Sequence, residues 1–163
     1  MRYNTIRQLD IANGPFCRVS LFVQGCPFSC PGCFNSVAKD FSGGKEFTDQ
    51  TLDLILELLK PKHISGLSIL GGEPLAPQNR VAVLELAKKV KQVYPEKTIW
   101  LWTGYLWEEV RDDLLGSGVD VVVDGKFVEE LKDLRLKYRG SSNQRVIDCK
   151  ASTRDIIIMK ENA

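Results

Sequence analysis

Apolar and polar positions along this chain follow two periods, and the points where one gives way to the other divide it into strands and helices. Arg18 to Gln24 carries Val19, Leu21, Phe22 and Val23, a β-branched and aromatic run ended by Gly25, which predicts a first core strand. Leu52, Ile55, Leu56 and Leu59 then recur at i, i+3, i+4 and i+7, with Thr48 placed to cap a helix, Asp49 suited to its positive end and Pro61 to stop it. Gly66 to Leu70 predicts a short buried strand opening into Gly71-Gly72-Glu73-Pro74. A second helix follows, with Val83, Leu86, Ala87, Val90 and Tyr94 on one face and Pro95 at its end. The pattern continues as a strand over Thr98 to Thr103, a helix over Leu106 to Leu115 stopped by Gly116 and Gly118, and a strand over Val119 to Asp124. The two ends are less regular. Arg2 to Ile11 reads as an edge strand or an arm leading to the turn Asn13-Gly14-Pro15, and Val146-Ile147 with Ile156-Ile157-Ile158 as a short edge strand or a cover for the open side.

Strands separated by helices of this length imply right-handed crossovers and an α/β fold with a mostly parallel sheet. A full eight-stranded barrel needs about 250 residues, so residues 1–163 are expected to form a single, truncated domain. With 22 basic against 21 acidic side chains, the net charge of +1 gives no reason to expect nucleic acid or an anionic membrane as the main partner. Val19 to Ala38 is free of charge and long enough to suggest a membrane span, but Pro27, Pro31, Gly25, Gly32 and several polar residues argue against one. No secretory pattern opens the chain, and a cytoplasmic location is expected. In that compartment five clustered cysteines read as metal binding before they read as disulfides.

Gln24 to Asn35, QGCPFSCPGCFN, spaces Cys26, Cys30 and Cys33 three and then two residues apart. Pro27 and Pro31 lack backbone donors and fix φ, so the segment cannot run as an ordinary helix, and a compact loop presenting three thiols results. Three sulfurs at this separation can each hold one iron of a cubane cluster, which leaves one iron open to a ligand. Structural zinc is the alternative. It wants four ligands, and the fourth would have to be His63, Cys17 or Cys149, none at a zinc-knuckle spacing from Cys33. The glycines of Gly71-Gly72-Glu73-Pro74 allow close approach of a ligand where a strand ends, or make an ordinary turn.

The C-x3-C-x2-C loop resembles that of the radical S-adenosylmethionine enzymes. Further runs resemble the activating proteins of anaerobic, class III ribonucleotide reductases. They are Asn13-Gly14-Pro15, Phe22-Val23-Gln24-Gly25-Cys26-Pro27, Cys30-Pro31-Gly32-Cys33-Phe34-Asn35, Gly71-Gly72-Glu73-Pro74 with Pro77-Gln78-Asn79, Trp100-Leu101-Trp102-Thr103-Gly104-Tyr105, Val123-Asp124-Gly125-Lys126-Phe127 and Arg139-Gly140-Ser141-Ser142-Asn143-Gln144. The resemblance fades only after about Arg145. One departure from the superfamily is visible: the position before the third cysteine, often aromatic, is Gly32, and the aromatic residue follows as Phe34.

The resemblance implies a partial (β/α) barrel of the radical S-adenosylmethionine type, with a 4Fe-4S cluster on Cys26, Cys30 and Cys33. S-adenosylmethionine would be held by Gly32, Cys33, Phe34, Gly71, Gly72, Glu73 and Thr103, with Gly72 the strongest choice and Thr103 near the ribose. The implied reaction splits that cofactor with one electron from reduced flavodoxin or a similar donor. The 5'-deoxyadenosyl radical so made would install a glycyl radical on the large reductase subunit, with no general acid or base. Alternatives are an activase of another glycyl-radical enzyme, such as pyruvate formate-lyase, or a non-catalytic iron-sulfur or zinc protein. Trp100 and Trp102 share a strand face and read as core packing, and Cys17, Cys149 and His63 as residues without a catalytic part. Asp124 and Lys126 sit at a turn dipeptide beside the active edge, and Arg139 to Gln144 reads as a surface loop that the resemblance draws toward the adenosyl site or the partner groove.

Overall fold

The computed structural model describes residues 1–161. Its elements run β1 (Arg2–Asp10), β2 (Cys17–Val23), β3 (Lys45–Glu46), α1 (Asp49–Leu59), β4 (Ile64–Gly71), α2 (Pro77–Val93), β5 (Thr98–Trp102), α3 (Trp107–Leu114), β6 (Val121–Asp124) and β7 (Arg145–Asp148). All three expected helices form; α1 and α3 lie within a residue or two of their predicted limits, and α2 ends just before Pro95 as expected but starts at Pro77, ahead of the first apolar position that marked it. Thr48 caps α1 by accepting from the Thr51 backbone N–H, as its position before the apolar period suggested.

The strands make one seven-stranded sheet in the order β3-β1-β2-β4-β5-β6-β7. β2, β4, β5 and β6 are parallel, each joined to the next through α1, α2 or α3. The flanks run the other way: β1 is antiparallel to β2, β3 to β1 and β7 to β6. The expected mostly parallel sheet therefore forms, its parallel strands at the centre where helical crossovers span it; β1, expected as an edge strand or arm, is folded straight back onto β2 by a short loop and is itself flanked by β3. Ile147 also bridges to Met159, so the C-terminal segment covers the outer side of β7.

Alternation along the central strands separates two faces. Val19, Leu21 and Val23 of β2, Leu67 and Ile69 of β4, Ile99 and Leu101 of β5 and Val122 of β6 pack with Ile55, Leu59, Val83, Val90, Trp107 and Leu114 of the helices into the main core. The opposite face holds a smaller cluster of Trp100, Val121, Val123 and Val146, against which Trp102 and Tyr138 pack. Beside it Arg18 is fully buried. Its guanidinium donates to Ser68 Oγ at 2.8 Å, Thr98 Oγ1 at 2.9 Å, Leu67 O at 2.9 Å and Thr98 O at 2.8 Å. Burial pulls its pKa down to about 10. Among the described residues no helix is long and apolar enough to cross a membrane.

Candidate metal centre

The three-cysteine loop leaves the carboxyl end of β2 and is fastened at its base by backbone hydrogen bonds. Gly25 N donates to Ala38 O at 2.7 Å and Cys26 N to Lys39 O at 3.0 Å. The turn after β4 is laced to the same base: Gly72 N donates to Val23 O at 2.9 Å, Glu73 N to Gly25 O at 2.8 Å. Asn79 Nδ2 bridges both loops, donating to Gln24 O at 3.2 Å and Glu73 O at 3.0 Å. A side chain at Gly72 would strike the Gly25 carbonyl and stand 2.8 Å from Ala38 O. The glycine at position 72 is thus required by the approach of the cysteine loop's own backbone.

Cys26, Cys30 and Cys33, all half-buried free thiols, line one cavity of about 630 Å³ at the carboxyl ends of the parallel strands. Gly71, Gly72, Glu73, Thr103, Phe34, Lys126, Arg139 and Gln144 line it as well. Burial pushes the Cys26 thiol up; the Phe28 backbone amide opposes this, while Glu73, Cys30 and Cys33 push it further up. Burial, the Glu73 carboxylate and the two neighbouring sulfurs together disfavour a Cys26 thiolate, an arrangement a bound cationic group would relieve. Among the described residues no group of three or more His, Cys, Asp or Glu converges to hold a single metal ion. Three soft thiols spread over a roomy wall fit a multinuclear iron-sulfur group, in which each thiolate takes its own iron.

The remaining predicted residues fall into distinct places. Glu73 is 1% exposed and turns into the protein: its Oε1 accepts from Leu75 N at 2.9 Å and Thr103 Oγ1 at 2.6 Å, its Oε2 from Gly104 N at 2.7 Å. Burial pushes its carboxyl up against the downward pull of those three donors. Glu73 and Thr103 thus reach the cavity wall together and spend their polar atoms on each other. Phe34 is exposed on the wall, 4.9 Å from the Phe127 ring. Gly32 faces the other way: a side chain there would meet the Glu129 carboxyl at 2.9 Å, and it is not among the cavity-lining residues.

Asp124 is fully buried, accepts from Trp107 N at 2.7 Å at the start of α3 and pairs with Arg145, while its neighbour Lys126 lines the cavity. In the Arg139–Gln144 loop, Gln144 Oε1 accepts from Gly140 N at 2.8 Å and its Nε2 donates to Gly125 O at 2.9 Å, holding the loop against the same wall. Trp100 is core packing, as expected, whereas Trp102 reaches the cavity and donates from Nε1 to Tyr138 O at 2.6 Å. Cys149 lies in the main core, its thiol pushed up to about 12 by burial, Cys17 begins β2, and His63 is exposed. Phe28, inside the cysteine loop, was given no part by the sequence. Its ring lies 5.0 Å from that of Tyr105 and 4.5 Å from Lys126 Nζ.

Residues 12–147 match the model of the 4Fe-4S single cluster domain family. The chain is 43% identical over 146 residues to the anaerobic ribonucleoside-triphosphate reductase-activating protein of Enterobacteria phage T4, covering 90% of this chain and 93% of that protein. Its namesake in Vibrio cholerae is 44% identical over 148 residues, 88% of this chain and 96% of the relative. The Escherichia coli protein of that name is 42% identical over 150 residues, 90% and 97% of the two chains.

Proposed function

Because this chain belongs to the family of anaerobic ribonucleoside-triphosphate reductase-activating proteins, carrying its 4Fe-4S single cluster domain, we propose that it uses S-adenosylmethionine to install a glycyl radical on the large subunit of that reductase. The observation that carries this reading is the convergence of Cys26, Cys30 and Cys33 with the Gly71-Gly72-Glu73 turn on one cavity at the carboxyl edge of the parallel strands. The cluster, when bound, supplies the single electron that splits the sulfonium into methionine and a 5'-deoxyadenosyl radical, the species that takes a hydrogen from the target glycine.

The chain's own residues bind, orient and shield. Cys26, Cys30 and Cys33 would hold the cluster through three of its irons, and the fourth would be open to the methionyl end of the cofactor. Gly71 and Gly72 present backbone at the wall where that ammonium would lie. Glu73 and Thr103 keep the turn after β4 locked to the exit of β5, so that the wall does not shift when the cofactor enters. Trp102, Phe34 and Phe127 supply the apolar wall that keeps water from a reactive carbon radical. No side chain is assigned as general acid or base. The sheet is read as a partial (β/α) barrel, all in one domain over residues 1–163. Its open side admits the reductase, reduced flavodoxin or a similar donor gives the electron, and the cytoplasm is the site of action.

Anaerobic reconstitution of Cys30→Ser, followed by incubation with S-adenosylmethionine and a low-potential reductant, tests the ligand set. Formation of 5'-deoxyadenosine is expected to vanish while circular dichroism stays that of the wild type, and retained cleavage refutes the assignment. Mixing the loaded wild-type chain with the reductase or with a pyruvate formate-lyase, and looking for a glycyl signal by electron paramagnetic resonance, distinguishes the two partners.

A further inference from the structure

Phe28 occupies the middle of the longer interval between thiols, and three features converge on its ring. The first is a bare Cα: a Cβ at Gly104 would stand 2.6 Å from Phe28 Cε2 and 2.7 Å from Cδ2, so the ring seats where only glycine leaves room. The second is the edge-to-face packing with Tyr105, at 5.0 Å between centroids and 68° between planes. The third is the Lys126 ammonium 4.5 Å from the ring centroid. The seat is itself fixed, because Gly104 N donates to the buried Glu73 carboxylate at 2.7 Å and Thr103 Oγ1 to its other oxygen at 2.6 Å.

We propose that Phe28 is the positioning residue of the cysteine loop, a ring that docks on Gly104, Tyr105 and Lys126 and so holds the Cys26–Cys33 arc in the arrangement that retains an iron-sulfur cluster. This rests on the cluster assignment above for its role, and on packing alone for its geometry. Among the described residues the backbone hydrogen bonds at the base of the loop reach as far as Cys26, and from Pro27 to Cys33 the backbone contributes one bond, from Cys33 N to Cys30 O at 3.2 Å. An arc with so few backbone bonds depends on its side chains for order. Phe28 lies within it and packs on the loops that leave β5 and β6, at Gly104, Tyr105 and Lys126.

Two readouts test this. With the loaded chain, transfer of iron to a chelator is expected to run about 10–100-fold faster in Phe28→Ala, the usual effect of removing a group that orients metal ligands. Phe28→Tyr, which keeps the ring, should restore the wild-type rate. Gly104→Ala should also speed release by displacing the ring, and should add nothing in the Phe28→Ala background, where no ring remains to be displaced. With the metal-free chain, alkylation of Cys26, Cys30 and Cys33 should accelerate in the same order of variants while the melting temperature stays at the wild-type value. Wild-type alkylation and release in Phe28→Ala, or full additivity of the two substitutions, overturns the proposal. A chain that takes up no iron at all sinks the cluster assignment instead, and the alkylation rates then decide the role of Phe28 by themselves.

Discussion

The two faces of the central sheet have different tasks, and the difference is written in single strands. Along β2, Val19, Leu21 and Val23 enter the main core under the helices, whereas Arg18, Ser20 and Phe22 point to the face that opens toward the cavity. Along β5, Ile99 and Leu101 join the main core while Trp100 and Trp102 join the smaller aromatic cluster. The strands give the helix-covered face aliphatic side chains at its centre, so its contribution is stability by burial. The cavity face mixes aromatic and polar residues with Val121, Val123 and Val146. It buries a whole guanidinium on neutral acceptors and devotes a carboxylate to aligning two loops, arrangements that cost stability and yield shape.

The sharpest test of this division is Leu101→Ala, on the helix-covered side. Deleting that fully buried side chain should cost about 2–5 kcal/mol in urea denaturation, while 5'-deoxyadenosine formed per bound iron stays at the wild-type value. A drop in turnover per iron would break the separation of faces. Next comes Asp120, which clamps the amino-terminal edge: its Oδ2 accepts from Ile99 N at 2.7 Å and pairs with Lys91 at 2.7 Å, and its Oδ1 pairs with Lys150 at 2.8 Å. Burial pushes its carboxyl up, but Lys150, Lys91 and the Ile99 amide outweigh this and hold the pKa below the usual aspartate value.

A depressed folded-state pKa means stability that is present above the ordinary value and lost as the pH falls through the folded one. Asp120→Ala should therefore cost about 1–3 kcal/mol at pH 7. Measured on the metal-free chain, that gap should narrow below about pH 4. The smallest effect is expected on the cavity face: Trp102→Phe keeps a ring but removes the hydrogen bond to Tyr138 O, costing about 0.5–1.5 kcal/mol. Its larger consequence should be a rise in the S-adenosylmethionine concentration needed for half-maximal cleavage, and an unchanged requirement would remove Trp102 from the binding wall.

The helices and the thiol loop were legible because their signals are local. Leu52, Ile55, Leu56 and Leu59 declare a helix face within two turns, and α1 forms over Asp49–Leu59. The spacing of Cys26, Cys30 and Cys33 declares metal chemistry within eight residues, and the family match is to a 4Fe-4S domain. Gly72 was singled out for the close approach of a ligand, and the atoms the fold brings against it are the carbonyls of Gly25 and Ala38, far from it in sequence. Glu73 and Thr103 were singled out separately, and nothing in either motif indicated that the carboxylate would accept the hydroxyl's hydrogen bond across thirty positions. Arg18 opens the first predicted core strand, and nothing in its neighbours along the chain indicated that it would be fully buried.

The chain's own order of residues determined which segments coil, which extend and where the sulfurs cluster, since periodicity, proline breaks and cysteine spacing act over a few neighbouring positions. Only the tertiary structure decided that β1 and β7 run antiparallel at the flanks, that Gly32 faces Glu129, and that Phe28 docks on Gly104. Each of these joins residues distant along the chain. Such pairings are selected when the whole sheet closes over its core, by what fits in the space left and by which polar groups must find a partner there.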